Sequence, residues 1–268
     1  MKKINFCLPN FYENLKINLF FKDLKKEWLK FPVNFFCFTG NFPSCYWNGQ
    51  YNSMGKYIDY EIISNFSQNN RIALKIDCNN ISCEEEQYDT LGNIILDKCQ
   101  TGANLIECNS IQVFNYFKEK YPYYNFVYNL INCDNQNIDI NNFRYIKISN
   151  YYNIENKIEP EKIIIKLNSS CGFYNCPIRE KCDNNLKQSI KNYSCLDPRS
   201  DCSLVRKYGD DIKFSDIEIY IRNGVNHFEL APALNKKDYI DFLIKFFIKE
   251  EKQLEIKKIM LEEGIIND

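Results

Sequence analysis

Histidine is almost absent: the 268 residues contain one, His227. Zinc hydrolysis is therefore short of imidazole ligands, no His-Glu-x-x-His pair occurs, and a Ser-His or Cys-His nucleophile pair would have to use His227 itself. An excess of either charge is also missing, with 34 Lys and Arg against 35 Asp and Glu. The totals hold nothing like the basic surface that a phosphate backbone demands, so nucleic acid is not indicated as a partner. No apolar run approaches the roughly eighteen residues of a membrane span. The opening MKKINFCLPNFYENLK has an apolar run too short for a signal peptide. We expect a cytoplasmic protein without membrane contact. No glycine-rich phosphate loop follows the first apolar run, which weakens a dinucleotide-binding reading.

What the chain does have is apolar and aromatic bulk, 45% and 15% of residues, as a globular core requires and a disordered chain lacks. It also has thirteen cysteines. In a reducing compartment these are free thiols or metal ligands rather than disulfides, and the odd total argues against full pairing. Five of them, Cys171, Cys176, Cys182, Cys195 and Cys202, fall within one short stretch; even scatter would put about one or two there. The other eight, Cys7, Cys37, Cys45, Cys78, Cys83, Cys99, Cys108 and Cys133, are dispersed and read as small core hydrophobes.

Short apolar runs suited to buried strands alternate with amphipathic stretches. The strand candidates are residues 4–9, 33–38, 71–76, 104–108, 125–129, 144–149, 162–168 and 227–231. Helix candidates include 11–29, with Leu15, Leu19 and Trp28 near one face, and 57–69. A last helix is expected over 235–262, with Asn235 as N-cap and Tyr239, Leu243, Phe246 and Phe247 at helical spacing. Strands that alternate with helices suit an α/β protein, a (β/α)8 TIM-like barrel, because parallel neighbours need crossover connections. An open doubly wound sheet shares this local grammar. No repeat, linker or long charge block divides the chain, and the polar tract 135–142 reads as a surface loop. One domain over 1–268, with a cysteine-rich insertion at about 169–215 after the seventh strand, is the simplest account.

In such a barrel, chemistry belongs at the carboxyl ends of the strands. Strand two runs into TGNFPSCYWNGQYN, where Tyr46, Trp47 and Asn48 lie among turn residues and could form a binding platform or simply tuck the loop down. Strand three leads to Asp77, Cys78, Asn79 and Asn80, strand four to Asn109 and Ser110, strand seven to Asn168, Ser169 and Ser170. Asn79, Asn109 and Asn168 are candidates for orienting a small organic or peptide substrate; Ser82, Asn109 and Ser110 read equally well as helix caps.

The stretch after strand seven is far longer than an ordinary βα connection and needs a reason to be ordered. Four thiolates on one iron–sulfur cluster or one zinc would supply cross-links that a reducing environment permits. The intervals, four residues from Cys171 to Cys176, five to Cys182, twelve to Cys195 and six to Cys202, match neither a zinc ribbon nor a bacterial ferredoxin run, so spacing alone leaves metal and free thiols both open.

Together with the order of elements, FTGNFPSCYWNG, LIECNS, KLNSSCGFYNCPIREKC and IRNGVNHFELAPA resemble the collagenase-like peptidase family of (β/α) barrels, which includes proteins of anaerobic ubiquinone hydroxylation and of RNA hydroxylation. The resemblance implies a [4Fe–4S] cluster on Cys171, Cys176, Cys195 and Cys202, with Cys182 a fifth candidate. It also implies a redox or hydroxylation-type role, with a possible protein partner. Where relatives read Phe-Lys-Ile-Glu-Gly-Arg at the last strand, this chain reads Phe228-Glu229-Leu230-Ala231-Pro232, so an activity depending on that arginine is in doubt. Glu229 is either a shifted substitute or an ordinary charged residue of the strand, and we read it as the latter. His227 starts strand eight, opposite the expected site. The rival expectations are a non-enzymatic scaffold or binding protein with a structural zinc or cluster, and a peptidase.

Overall fold

The computed structural model describes residues 3–40, 59–76, 89–130, 139–149, 158–167, 214–231 and 236–266. Eight strands pair in chain order, all parallel: β1 (Ile4–Leu8), β2 (Val33–Gly40), β3 (Ile72–Ile76), β4 (Leu105–Cys108), β5 (Asn125–Asn129), β6 (Tyr145–Ser149), β7 (Ile163–Leu167) and β8 (His227–Leu230). β8 then pairs with both β7 and β1, and the sheet is a closed barrel. Every apolar run read as a strand became one, with ends shifted by two residues at most. The described helices are α1 (Leu15–Asp23), α2 (Tyr60–Asn69), α3 (Thr90–Lys98), α4 (Ile111–Lys120), α5 (Phe214–Arg222), α6 (Lys236–Phe247) and α7 (Gln253–Glu262). Among the described residues, no helix is long and apolar enough to cross a membrane.

Alternation along each strand divides the buried residues into two sets. Outward side chains such as Phe6, Leu8, Ile72, Leu74, Ile106, Ile165 and Phe228 pack against Ile17, Phe21, Phe66, Leu96, Phe117 and Leu243 of the helices. Inward side chains form a second, smaller cluster of Cys7, Cys37, Ala73, Leu105, Val127, Tyr145 and Ile164. A bulge sets this division in β2. Phe6 pairs with Phe35 but Cys7 pairs with Cys37, so Phe36 is an extra residue that packs against the interior cluster. Without it Cys37 would turn outward, because a one-residue slip exchanges the two faces of a strand.

Two helical expectations need correction. The helix expected over 11–29 is shorter, and its buried face is Ile17, Asn18 and Phe21; Leu15, Leu19 and Trp28 only flank the core. A polar residue sits on that face because both the nitrogen and the oxygen of its amide are bonded. Asn18 donates to the Pro9 carbonyl at 3.2 Å and accepts from the Tyr239 hydroxyl at 2.8 Å, tying α1 to α6. The helix expected over 235–262 breaks between α6 and α7. Ile248 bridges to Leu29, Lys30 donates its backbone N–H to Phe247 at 2.8 Å, and Lys249 donates to Trp28 at 3.0 Å. These tertiary backbone bonds compete with helix continuation, and periodicity carries no sign of them. Tyr239, Leu243, Phe246 and Phe247 are buried as expected, whereas Asn235 lies outside the described residues.

Among the described residues, the N-caps whose side chains make a capping bond are aspartates. Asp59 accepts from the N–H groups of Glu61 and Ile62 at 2.9 and 3.3 Å, and Asp89 from Gly92 at 2.9 Å. Ser110 occupies the N-cap position of α4, but its hydroxyl makes no capping bond, and Asn109 lies one residue earlier. Within the tract expected as a loop, Ile140–Asn142 forms a 3-10 turn capped by Asp139; residues 135–138 are outside the description, as is Ser82. Gly224, at φ +89°, ends α5 and leads into β8, with Val225 donating to Tyr220 at 3.0 Å.

Aromatic packing concentrates where the barrel closes. Phe6 meets Phe247 edge-on at 4.9 Å and lies 5.7 Å from Phe228, so β1, β8 and α6 share one ring cluster. Phe6→Ala should therefore cost about 3–5 kcal/mol of stability, to be measured as a shift in the urea unfolding midpoint. A shift no larger than that of a surface substitution would contradict this account of closure.

Candidate functional site

Five strands carry a single Lys or Glu in a mainly apolar run, at the middle of the strand or beyond it: Lys75, Glu107, Lys147, Lys166 and Glu229. Register places them together. Lys75 is paired with Glu107, Lys166 with Glu229, Asn129 with Lys147, and Glu229 with Cys7 of the interior cluster. Partners on parallel strands point to the same side. The result is a layer of charge across the inside of the barrel, above the apolar cluster and toward the end where catalytic groups of such barrels sit.

The layer is a connected network. Lys75 Nζ lies 2.9 Å from Glu229 Oε1, and Lys147 Nζ lies 2.5 Å from Glu229 Oε2. Lys147 also pairs with Glu107 Oε2, while the Asn129 amide donates to Glu107 Oε1 at 2.7 Å. Lys147 and Glu229 are each 1% exposed, so both charges have left water altogether. Burying such groups costs several kcal/mol per ion unless partners replace the lost solvation. Ile, Leu and Val would fill the same space without that cost, as they do one layer below. Glu229 is thus not the ordinary charged residue expected from the sequence, but the junction of the network.

Titration follows from this geometry. Burial alone would raise the Glu229 carboxyl; the ammonium groups of Lys147, Lys75 and Lys166 outweigh it and hold the group at about 2. Lys166, half-buried, is shifted in the same direction, which for an amine favours the neutral form. Burial lowers its pKa, the neighbouring Lys75 and Lys147 charges lower it further, and Glu229 and Glu107 oppose them. Beneath the layer the Cys7 thiol is raised well above its ordinary value, by burial first and then by its hydrogen bond to Cys37 and by the charges of Cys37 and Glu229. Cys7, Cys37, Cys99 and Cys108 are buried, as read, although Cys7 and Cys37 form a neighbouring pair. Cys45, Cys78, Cys83 and Cys133 lie outside the described residues.

His227 sits at the opposite, amino end. Its ring lies 4.8 Å from Phe36 and 5.1 Å from Tyr145, and Nε2 is 3.2 Å from the Asn5 amide. Burial, with the charges of Arg71 and Arg144, lowers its pKa to about 4. It belongs to an aromatic plug below the interior cluster, away from the charged layer.

Of the residues singled out from sequence, Asn109 is buried at 6% exposure, two positions beyond Glu107 at the end of β4. Tyr46, Trp47, Asn48, Asn79, Asn168, Cys171, Cys176, Cys182, Cys195 and Cys202 lie outside the described residues. Among those described, no three His, Cys, Asp or Glu side chains are placed to hold a metal ion. The residues that sequence reading missed are the four other members of the network. Their signal was present: one Lys or Glu at the middle or beyond in each of several mainly apolar strands.

Over 125 residues, 46% of its length, the chain is 32% identical to the ribosomal protein uS12 methylthiotransferase RimO of Clostridium botulinum (strain Eklund 17B / Type B). It is a distant relative. The match covers 25% of that protein, so the chain spans about a quarter of the curated relative. No protein-family model and no solved structure matches. The comparisons do not show the collagenase-like peptidase family; the closed eight-stranded barrel of the structure is the part of that resemblance that stands.

Glu229→Ala would leave Lys75 and Lys147 without their shared carboxylate and should cost about 3–5 kcal/mol, measured by denaturant titration; a cost below 1 kcal/mol, on the order of a surface ion pair, would contradict a buried network. The pH dependence has a defined sign. Both groups have folded pKa values below their unfolded ones, so each stabilises the fold above its unfolded pKa and loses that contribution as pH falls. The His227 share should vanish between about 6.5 and 4, and the Glu229 share between about 4.5 and 2. His227→Phe should flatten the first window in a series of unfolding midpoints against pH, leaving the second intact.

Proposed function

We propose that the chain is an enzyme whose active site is the charged layer of the barrel, working with an iron–sulfur cluster in redox or hydroxylation-type chemistry on a small organic or peptide substrate. The observation that carries this reading is the replacement of an apolar interior layer by the Lys75–Glu229–Lys147–Glu107 network at the carboxyl ends of the strands. Such a network costs desolvation energy and adds little stability over an apolar filling, while perturbed ionisable groups of this kind cluster at functional sites.

The donor set suits the cluster by its chemistry. The five cysteines begin at Cys171, five residues beyond Lys166, and thiolates are the ligands such clusters require. Four of Cys171, Cys176, Cys182, Cys195 and Cys202 would hold it, and bound there it would supply one-electron transfer. The chain's own groups do the rest. Lys75 and Lys147 present positive charge to an anionic or polarised substrate atom, Glu229 and Glu107 orient those ammonium groups, and Asn109, with Asn79 and Asn168, would orient the substrate. The aromatic residues Tyr46 and Trp47, with Asn48, would cover it. A relative named for methylthio transfer to a ribosomal protein is consistent with sulfur chemistry and with a protein substrate or partner. Hydrolysis by a His-dependent peptidase gains no support, since His227 is packed in the plug at the far end.

Protein purified without oxygen should contain iron and sulfide and absorb in the visible, and Cys171→Ser and Cys176→Ser should lose metal. Colourless protein with one zinc would favour a structural site in a scaffold protein, and equal metal in all three proteins would detach those cysteines from any site.

A further inference from the structure

Among the described residues of the charged layer, the amines outnumber the carboxylates. Lys147 pairs with both Glu229 and Glu107, and Lys75 pairs with Glu229. Two ammonium groups are thereby matched by two carboxylates, and the third amine, Lys166, closes no ion pair among the described residues. Its position is also distinct. It is the penultimate residue of β7, in register with Glu229 across β8 and with Ser149 across β6. Ile164, two residues earlier on the same face, belongs to the apolar interior cluster. Lys166 therefore projects into the layer from its wall, and unlike Lys147 it is only half-buried, which leaves it open to a small molecule. We propose that Lys166 is a nucleophilic amine that forms an imine with an aldehyde or ketone entering the barrel from the carboxyl end.

A lysine becomes nucleophilic at neutral pH when it is desolvated or held beside other cations, and both conditions apply. Burial and the charges of Lys75 and Lys147 shift Lys166 toward the neutral amine, with Glu229 and Glu107 opposing. Among the described residues, those four, with the protonated Cys7 thiol below Glu229, are the titratable groups that face it. The step balances without an oxidant. The Nζ lone pair attacks the carbonyl carbon, the C=O π pair moves to oxygen, and a proton passes from nitrogen to that oxygen to give a carbinolamine. The C–O bond then breaks, water leaves with one proton drawn from solvent, and a C=N bond forms. The product is an iminium cation facing the Glu229 carboxylate, and nothing is oxidised or reduced.

The assignment deepens the reading above: it rests on the charged layer being the active site, and it is independent of the cluster. Acetaldehyde with cyanoborohydride, which reduces iminium to a stable alkyl amine, tests it on the full chain at neutral pH, followed by peptide mass spectrometry. Lys166 should be alkylated at least about tenfold faster than Lys258, whose side chain is 78% exposed, and its rate should reach a plateau at lower pH. Mapping the wild-type protein settles the site without any variant; Lys166→Arg, checked for an unchanged unfolding midpoint, should lose that one adduct and keep the rest. Alkylation of Lys166 no faster than that of Lys258 overturns the proposal. Running iron-free and iron-containing protein in parallel separates the two ideas. Fast Lys166 alkylation in protein that binds no iron supports the amine and removes the cluster, and slow alkylation in iron-loaded protein overturns the amine and leaves the cluster standing.

Discussion

Closure of the sheet, with β8 hydrogen-bonded to β1 as well as to β7, is the constraint from which the rest follows. Once the ring is closed, every second residue of every strand must share one narrow interior, and none has an edge to escape to. Lys75 and Glu229, 154 residues apart in the chain, become ion-pair partners only because of that closure. The bulge at Phe36 serves the same end, since it keeps both Asn34 and Cys37 on the inward side of β2 while an aromatic ring is added to the plug.

The interior is graded along the barrel axis. At the amino end, the rings of Phe36, Tyr145 and His227 lie within 6.1 Å of each other, with Asn5 bonded to both His227 and Asn34. In the middle the filling is Leu, Val, Ile, Ala and two thiols. Toward the carboxyl end it becomes ionic. An apolar floor beneath a charged layer lowers the local dielectric response, so each charge in the layer feels its neighbours more strongly than it would in water. This gradient accounts for the charge states favoured within one network, where both pKa values fall: the cations around Glu229 hold it ionised, while burial and then the neighbouring cations push Lys166 toward the neutral amine.

The external helices contribute position rather than chemistry. Asn104 exemplifies how: its amide donates to the Cys99 carbonyl at 2.8 Å and its oxygen accepts the Ile72 N–H at 3.0 Å. One buried side chain thus fixes the end of α3 against the start of β3, and with it the height at which Lys75 enters the interior. Asn18 plays the corresponding part between α1 and α6. A buried amide bonded on both sides is stable where an unpaired one would cost roughly 1–3 kcal/mol, so these residues specify the packing of helix on barrel.

The strands were legible because each is a short apolar run bounded by polar residues, and that pattern is local. The parallel order followed from their alternation with helices. The length of α6 was not legible, because its end is decided by backbone bonds to residues such as Trp28 and Lys30 that lie far away in the chain. Glu229 illustrates the same limit at the site: read along one strand it is a charged residue among apolar neighbours, and nothing local says that Lys75 and Lys147 will meet it. The amino-acid sequence by itself determined the number, order and type of the strands, since hydrophobic alternation is a property of neighbours. Which charges share the barrel interior, and which amine closes no ion pair among the described residues, was decided only by tertiary structure, because electrostatic partnership depends on distance in space and not on separation along the chain.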